Sequence, residues 1–228
     1  ALRNGKRTLL LLRGRCLEQA GLAAAGRIAA KTGARIAHEY FTARITRGAG
    51  LPAIERIPYF GEEIVERLAG LEQIVLVGAP PPVTFFAYPG KPGWVTPEGC
   101  VLIALAQPHD DATAALSALA DALDARAPGR IVECVRPDLP ARGPLTAGAM
   151  GALMARLMPD DCILSDDSLT AGPGIQAALK VGPCHDALFL TGGAIGGALP
   201  MAVGAALAAP ARKVIAVSGD GAAMYALS

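Results

Sequence analysis

The chain has 228 residues, enough for one large or two small domains, and it is 52% hydrophobic but only 4% aromatic. Its formal net charge of +1 gives no electrostatic case for binding nucleic acid or an acidic membrane surface. No apolar run approaches the roughly 20 residues of a membrane span, no signal peptide is recognised, and five scattered cysteines without CxxC spacing favour reduced thiols in a cytoplasmic protein.

The first 123 residues alternate between strand-like and helix-like patterns. The predicted strands cover residues 8–12, 34–38, 73–77 and 101–105, and the predicted helices cover 16–31, 62–68 and 110–123. Residues 42–60 show neither pattern and are predicted to be a long loop. Strands that alternate with helices imply a parallel sheet covered on both faces. Residues 1–123 are therefore predicted to form a Rossmann-like α/β domain.

Residues 124–145 differ in composition, with four prolines and several arginines, and are predicted to link two domains. A second α/β unit is predicted for residues 146–228, and it begins with a helix that Thr146 caps. Its first strand, residues 162–165, runs into the polar sequence Asp166-Asp167-Ser168-Leu169-Thr170. Ligands of open α/β sheets bind beyond the carboxyl ends of the strands, so this polar segment is a candidate wall of a site.

The segment from Thr191 to Ser228 carries the strongest functional pattern. A glycine-rich turn leads into a helix that Leu199-Pro200 opens, because proline is favoured in a first helical turn. A buried strand over residues 214–217 then ends on Gly219-Asp220-Gly221, where another helix is predicted to start. Glycines let the backbone approach a phosphate, and the N–H groups of a helix N-terminus point at it. The carboxylate of Asp220 would repel a phosphate unless a divalent cation such as Mg²⁺ lies between them.

This last segment resembles part of a known family. The sequence GGAIGGALPMAVGAALA, followed by VIAVSGDGAAMY, is similar to the cofactor-binding part of thiamine-diphosphate-dependent enzymes, above all the acetolactate synthase and benzoylformate decarboxylase group. The resemblance implies that residues 1–123 are a middle domain and that residues 146–228 are the N-terminal part of a thiamine-diphosphate-binding domain. The alternative is a generic Rossmann-type glycine turn beside an alanine-rich helix, in a non-catalytic nucleotide-binding module that needs no Mg²⁺.

The resemblance also implies roles for individual residues. Asp220 would be a ligand of Mg²⁺. The residues implied to contact thiamine diphosphate are Thr170 at the diphosphate, Gly193 through its carbonyl to the aminopyrimidine, Ile195 as a wedge between the two rings, Gly219 with the N–H groups of Gly221 and Ala222 at the diphosphate, and Tyr225 through its hydroxyl. The structural alternatives are a core position for Ile195 and a helix-face packing position for Tyr225.

Two further positions depart from the family pattern. The family usually has Asp-Glu where this chain has Asp166-Asp167, so the second carboxylate is one methylene shorter and whatever it holds is expected to be shifted. Asp166 has the equal alternative of an Asx-type turn. In the flavin-binding branch a glycine pair is expected where this chain has Arg13, which makes FAD doubtful and leaves ADP open. Arg13, Arg15 and Lys91 could hold a phosphate, or the two arginines are solvated surface side chains.

The predicted function is a thiamine-diphosphate- and Mg²⁺-dependent 2-keto acid enzyme, most like an acetolactate synthase large subunit. It would ligate or decarboxylate its substrate through the C2 carbanion of the cofactor. The alternative is a benzoylformate-type decarboxylase or an acyl-CoA lyase. No catalytic residue is predicted within the chain, because the family's catalytic Glu and its closing Asn metal ligand are expected outside it. The chain lacks an initiator Met and stops at Ser228, just inside a predicted helix. We therefore expect a part of a longer protein, inactive alone, whose full-length form is a homodimer or homotetramer.

Overall fold

The computed structural model describes residues 2–139 and 142–226, which form two compact units. The first unit comprises the described residues of 1–40 and 52–130, and the second comprises those of 41–51 and 131–228. The chain therefore enters the second unit twice, first through the short segment 41–51 and again after residue 130. Among the described residues, no helix combines the length and the apolar composition needed to cross a bilayer.

Strands and helices alternate along most of the chain. In chain order the elements are β1 (Thr8–Leu12), α1 (Gln19–Thr32), β2 (Arg35–His38), β3 (Arg44–Arg47), β4 (Glu55–Arg56), α2 (Gly61–Leu68), β5 (Gln73–Val77), β6 (Val101–Ala106), α3 (Ala112–Ala122), α4 (Ala147–Leu157), β7 (Cys162–Asp167), α5 (Gly172–Leu179), β8 (His185–Phe189), α6 (Ala198–Ala208), β9 (Val214–Ser218) and α7 (Asp220–Ala223). The predicted α/β class is confirmed.

The first unit is built on a parallel sheet with strand order β4-β2-β1-β5-β6. Every residue of β1 and β5 is buried, as expected for the inner strands of a sheet that is covered on both faces. The long helix predicted from residue 16 begins only at Gln19, because residues Gly14–Leu17 form a 3₁₀ turn. The 3₁₀ turn lies so close to the first turn of α1 that position 21 must be glycine. A Cβ on Gly21 would lie 2.3 Å from the carbonyl oxygen of Cys16.

The second unit has a mixed sheet with strand order β3-β8-β7-β9. The strands β7, β8 and β9 are parallel, while β3 pairs with β8 in the antiparallel sense. Helices α4 and α5 pack on this sheet through one apolar cluster, which contains the buried residues Ala155, Met158, Cys162, Leu164, Ile175 and Leu179. Thr146 caps α4 as predicted, since its hydroxyl accepts a hydrogen bond from the N–H of Ala149 at 3.1 Å.

The loop predicted for residues 42–60 is wrong, because this stretch contains β3 and β4. The strand β3 has the sequence Arg-Ile-Thr-Arg, in which Ile45 is the buried residue. Such a short and polar edge strand has too few apolar residues to show the alternation of a half-buried strand. Its place is set instead by tertiary contacts with β8.

Asp186 on β8 supplies those contacts. Its side chain is almost fully buried and accepts hydrogen bonds from Arg44 at 2.9 Å, Thr46 at 2.8 Å and Arg212 at 2.8 Å. Burial opposes the ionisation of Asp186, but these three donors outweigh it and hold the pKa of the carboxyl below its usual value. The carboxylate therefore fastens β3 to the sheet of the second unit.

The predicted linker is also partly ordered against the second unit. The N–H of Val132 donates to the carbonyl of Leu51 at 2.8 Å, and the carbonyl of Val132 accepts from the N–H of Gly50 at 2.9 Å. A few residues on, the N–H of Val135 donates to the carbonyl of Val181 at 2.6 Å. The apolar pair Ile131-Val132 inside the linker thus pairs with segment 41–51. Residues 140 and 141 of the predicted linker lie outside the described residues.

His185, the first residue of β8, is 1% exposed. Its Nδ1 lies 2.8 Å from the carbonyl oxygen of Pro183, which accepts from it, and its Nε2 has no partner among the described residues. Burial lowers the pKa of His185 to about 4, from 6.5 for the exposed side chain, and the nearby Arg47 adds to this effect. The folded chain therefore keeps this imidazole neutral at pH values where the unfolded chain protonates it.

We predict that this difference makes the second unit less stable in mild acid. Between pH 6.5 and pH 4 the unfolded chain binds the extra proton, so stability falls as the pH is lowered through this window, by about 2 kcal/mol between pH 7 and pH 5. Urea unfolding at each pH should show a smaller pH dependence for His185→Gln. The control His109→Gln removes a histidine whose side chain is 83% exposed and should match the wild type. Equal pH dependence in all three proteins would contradict the assignment to His185.

Candidate active site

The carboxyl ends of β7 and β9 lie side by side. In the parallel register, Asp166 is opposite Val217 and Asp167 is opposite Ser218. Beyond these pairs, the N–H of Gly219 donates to the carbonyl of Asp167 at 2.9 Å. The acidic segment at the end of β7 and the Gly219-Asp220-Gly221 turn after β9 therefore meet at the carboxyl end of the sheet.

Asp166 forms the Asx-type turn that was one of its two alternatives. Its Oδ1 accepts a hydrogen bond from the N–H of Ser168 at 2.9 Å, the side-chain bond two residues on that defines this turn. Its Oδ2 accepts from the side-chain amide of Gln176 on α5, whose amide oxygen in turn accepts from Arg47. Both carboxylate oxygens are thus used within the second unit.

Asp167 has a different role, which the sequence did not reveal. Its side chain is 1% exposed, and its Oδ2 accepts a hydrogen bond from the N–H of Gly196 at 2.6 Å. Two residues earlier on β7, the hydroxyl of Ser165 donates to the carbonyl of Ala198 at 2.8 Å. Side chains from the end of β7 therefore hold the glycine-rich loop that precedes α6. The only sequence signal for this was an acidic pair at the end of a buried strand.

Two polar atoms at the carboxyl end of β7 have no hydrogen-bond partner among the described residues. They are the second carboxylate oxygen of Asp167 and the hydroxyl of Ser168, and both are buried. Buried polar groups normally find a partner in protein, water or ligand. These atoms lie at the same strand end as the two turns that the sequence assigned to a cofactor.

The glycine-rich loop needs its glycines. Gly193 and Gly196 have φ angles of +72° and +92°, a region that residues with a Cβ rarely adopt. A Cβ on Gly196 would also lie 2.8 Å from the Cβ of Tyr225 and 3.2 Å from the carbonyl oxygen of Ala222. The loop therefore packs directly against α7 and the residues that follow it.

The side chains assigned to the cofactor are open to solvent. Ile195 is 47% exposed and Tyr225 is 76% exposed, so neither is a core residue within the described part of the chain. Thr170 is exposed on the 3₁₀ turn Leu169–Ala171, directly after the end of β7. These positions leave the three side chains accessible to a ligand.

The Gly219-Asp220-Gly221 turn lies where the sequence placed it, at the carboxyl end of a parallel strand, and α7 begins at Asp220. Among the described residues, β9 pairs with β7 and lies at the edge of the sheet. Asp220 and Gly221 are exposed, whereas Ala222 is buried. Nothing lies within 4 Å of a Cβ built on Gly221, so the absence of a side chain there leaves open space.

These residues fit a bound diphosphate with a divalent cation. The open space at Gly221 and the exposed carboxylate of Asp220 would admit a phosphate bridged by a metal ion. Within residues 2–139 and 142–226, no group of three or more His, Cys, Asp or Glu is arranged to hold a metal ion. A cation at Asp220 would therefore need ligands other than a cluster of these side chains, and phosphate oxygens are of that kind.

A separate cleft lies in the first unit, beyond the carboxyl ends of β1, β5 and β6. Its volume is about 880 Å³, and its lining includes Arg13, Gly78 and Asp111. The guanidinium of Arg13 forms an ion pair with Glu39 at 3.0 Å. Arg15 is 92% exposed in its side chain, and Lys91 is paired with Glu62. Of the two alternatives for Arg13 and Arg15, phosphate binding or surface side chains, their exposure favours the second.

Comparison with known proteins identifies the family. Residues 181–228 match the family model of the thiamine pyrophosphate enzyme C-terminal, TPP-binding domain. The whole chain is 44% identical to a candidate acetolactate synthase large subunit, IlvX, of Mycobacterium tuberculosis, and covers 44% of it. It is 30% identical over 178 residues to a benzoylformate decarboxylase of Pseudomonas aeruginosa, a match that spans 71% of this chain and 33% of the relative.

A solved structure agrees with these relatives. The thiamine diphosphate-dependent 4-hydroxybenzoylformate decarboxylase of Rhodococcus jostii RHA1 matches 96% of this chain with a TM-score of 0.73 and 25% identity, and the match covers 44% of that protein. The chain therefore belongs to the thiamine-diphosphate-dependent enzyme family. It spans less than half the length of each of these relatives.

We predict that Gly196→Ala destabilises the second unit by about 1–3 kcal/mol, because the substitution adds a strained φ and a contact with Tyr225. Gly197→Ala is the matched control. Gly197 has a φ of −69°, and its nearest neighbours are at ordinary contact distance, with Met201 Cε at 3.5 Å. Its free energy of unfolding should change by less than about 1 kcal/mol. Equal losses in the two variants, measured by chemical denaturation, would contradict the packing described here.

Proposed function

We propose that this chain is the middle domain and the first part of the cofactor domain of a longer thiamine-diphosphate- and Mg²⁺-dependent 2-keto acid enzyme. Among known activities it would be most like an acetolactate synthase large subunit. The observation that supports this best is the meeting of the β7 end, the Gly192–Gly197 loop and the Gly219–Gly221 turn at one edge of the sheet. These are the segments whose sequences resemble the cofactor motif of the family.

In this proposal the residues of the chain bind and orient the cofactor. Asp220 holds Mg²⁺, and the N–H groups of Gly221 and Ala222 hold the diphosphate together with Gly219, Thr170 and the hydroxyl of Tyr225. The carbonyl of Gly193 would accept a hydrogen bond from the aminopyrimidine, and the exposed side chain of Ile195 would serve as the wedge between the two rings. When bound, thiamine diphosphate supplies a carbanion at C2 and an electron sink for the 2-keto acid.

None of the described residues is assigned a proton-transfer step. The proposal places the catalytic acid and a second metal ligand in other parts of the full-length protein. That protein is proposed to be cytoplasmic and a homodimer or homotetramer. In the first unit, Arg13 stands where the flavin-binding branch is expected to have a glycine pair, which argues against FAD there.

The substrate decides between the two candidate activities. The 44% identity to the acetolactate synthase-like relative favours carboligation of pyruvate, and the 25% identity to the decarboxylase structure is the weaker indication. We expect the full-length protein, with thiamine diphosphate and Mg²⁺, to convert pyruvate to acetolactate faster than it decarboxylates benzoylformate. Chromatography of the products measures both reactions. A preference for benzoylformate would instead favour the decarboxylase alternative.

The variant Asp220→Ala distinguishes the proposed enzyme from the alternative, a metal-free nucleotide-binding module. If Asp220 binds Mg²⁺ at the diphosphate, its loss should weaken thiamine diphosphate binding about ten- to a hundredfold, since charge-assisted contacts contribute about 1.5–3 kcal/mol. Excess Mg²⁺ should recover this only partly. In a metal-free phosphate site, removal of a carboxylate would leave binding unchanged or make it tighter.

The measurement is calorimetric titration of the full-length protein with thiamine diphosphate, with and without Mg²⁺. Asp160→Ala is the control, because the side chain of Asp160 is 75% exposed, lies before the opposite end of β7 and forms a surface ion pair with Arg136. Folding should be unchanged in both variants. Equal affinities of wild type and Asp220→Ala in Mg²⁺ would exclude Asp220 as a metal ligand.

A further inference from the structure

The side chain of Asp167 joins two segments that lie far apart in the sequence. Its Oδ2 accepts from the N–H of Gly196, 29 residues away, and its main-chain carbonyl accepts from the N–H of Gly219. One residue at the end of β7 thus fixes both glycine turns of the candidate site. The two turns are therefore held to the same residue, one by its side chain and one by its main chain.

The chemistry of the contact makes it a strong constraint. A carboxylate accepts a shorter and stronger hydrogen bond than a neutral acceptor does, and the 2.6 Å distance to Gly196 is consistent with a charge-assisted bond. The side chain is 1% exposed, so solvent screens the bond little. Burial of a carboxylate costs free energy unless it is hydrogen-bonded. Asp167 Oδ1 has no partner among the described residues, so within them the hydrogen bond from Gly196 to Oδ2 is what offsets this cost for the side chain.

The contact also reaches the residues assigned to the cofactor. Gly196 follows Ile195 directly, and it packs against Tyr225 and the carbonyl of Ala222. A displacement of Gly196 would therefore move the loop that carries Gly193 and Ile195 relative to α7.

We infer that Asp167 is a positioning residue that fixes the Gly192–Gly197 loop beside the Gly219–Gly221 turn and so sets the geometry in which thiamine diphosphate is held. The inference rests on the proposed function for its ligand. Asp167 itself needs no contact with the cofactor. Asp167 acts on cofactor binding by holding the N–H of Gly196, and with it the Gly192–Gly197 loop.

Amide hydrogen exchange tests the contact without reference to activity. In the wild-type full-length protein the amide of Gly196 should be protected, and in Asp167→Asn its exchange should be at least about tenfold faster, because a neutral acceptor holds it less firmly. The amides of Ile163 and Leu164 on β7 should keep their protection, since their bonds belong to the sheet. Asp167→Glu retains a carboxylate acceptor and should keep Gly196 protected.

Cofactor affinity is measured on the same proteins. Thiamine diphosphate should bind Asp167→Asn about tenfold or more weakly, while kcat at saturating cofactor falls less. The control is Asp160→Asn, which removes an exposed carboxylate near the other end of β7. It should match the wild type in both the exchange rate of the Gly196 amide and the affinity for thiamine diphosphate. Loss of affinity together with loss of Gly196 protection supports the inference.

The outcomes that overturn it are distinct from those that overturn the proposed function. If the wild type does not bind thiamine diphosphate, both fail. If the wild type binds it and Asp167→Asn binds equally well, only the inference about Asp167 fails. Should Asp167→Asn not fold, the wild type still decides, because an unprotected Gly196 amide in the native protein contradicts the contact.

Discussion

The candidate site depends on the carboxyl end of one buried strand. The strand β7 lies between β8 and β9, so its backbone groups are already paired on both sides, and every one of its residues is buried. Polar side chains at such a position must find partners, because an unpaired buried group costs about 1–3 kcal/mol. Ser165 and Asp167 find theirs at Ala198 and Gly196, in and just after the glycine-rich loop. Asp166 finds its partners in the N–H of Ser168 and the side chain of Gln176 on α5. The need to satisfy these groups is what draws the surrounding loops into a defined arrangement.

Much of the fold could be predicted because it follows from apolar patterning. The strands β1 and β5 are continuous apolar runs between helices, and a buried parallel sheet demands such runs. The strand β3 gave no such signal and was predicted to be loop. Its Arg44 and Thr46 are polar, and both bind Asp186 on β8. Pairing of distant polar residues has no local sequence signature.

In the candidate site, too, features with a local sequence pattern were predicted and contacts between distant residues were not. The glycine turns were found from sequence, since glycine is required where φ is positive or two chains approach closely, as at Gly196. The bond from Gly196 to Asp167 was not found, because it joins residues that no motif spacing connects.

The exposure of the assigned side chains bears on the two alternatives for this chain. A generic glycine turn beside an alanine-rich helix would bury Ile195 in the core, but its side chain is 47% exposed. Ligand pockets are lined mainly by apolar side chains with a few polar groups, and an exposed Ile195 beside the glycine-rich loop can supply such a lining. Ile195 therefore counts in favour of the cofactor proposal.

The crossing of segment 41–51 into the second unit has a consequence for how this chain can be divided. A fragment that starts after residue 130 would keep β7, β8 and β9 but would leave β3 behind. Asp186 would then lose Arg44 and Thr46 and keep only Arg212 of its three donors, while one edge of β8 would become an open template for unwanted pairing. The second unit is therefore not one continuous stretch of the sequence. To express it separately, segment 41–51 would have to be joined to the residues after 130.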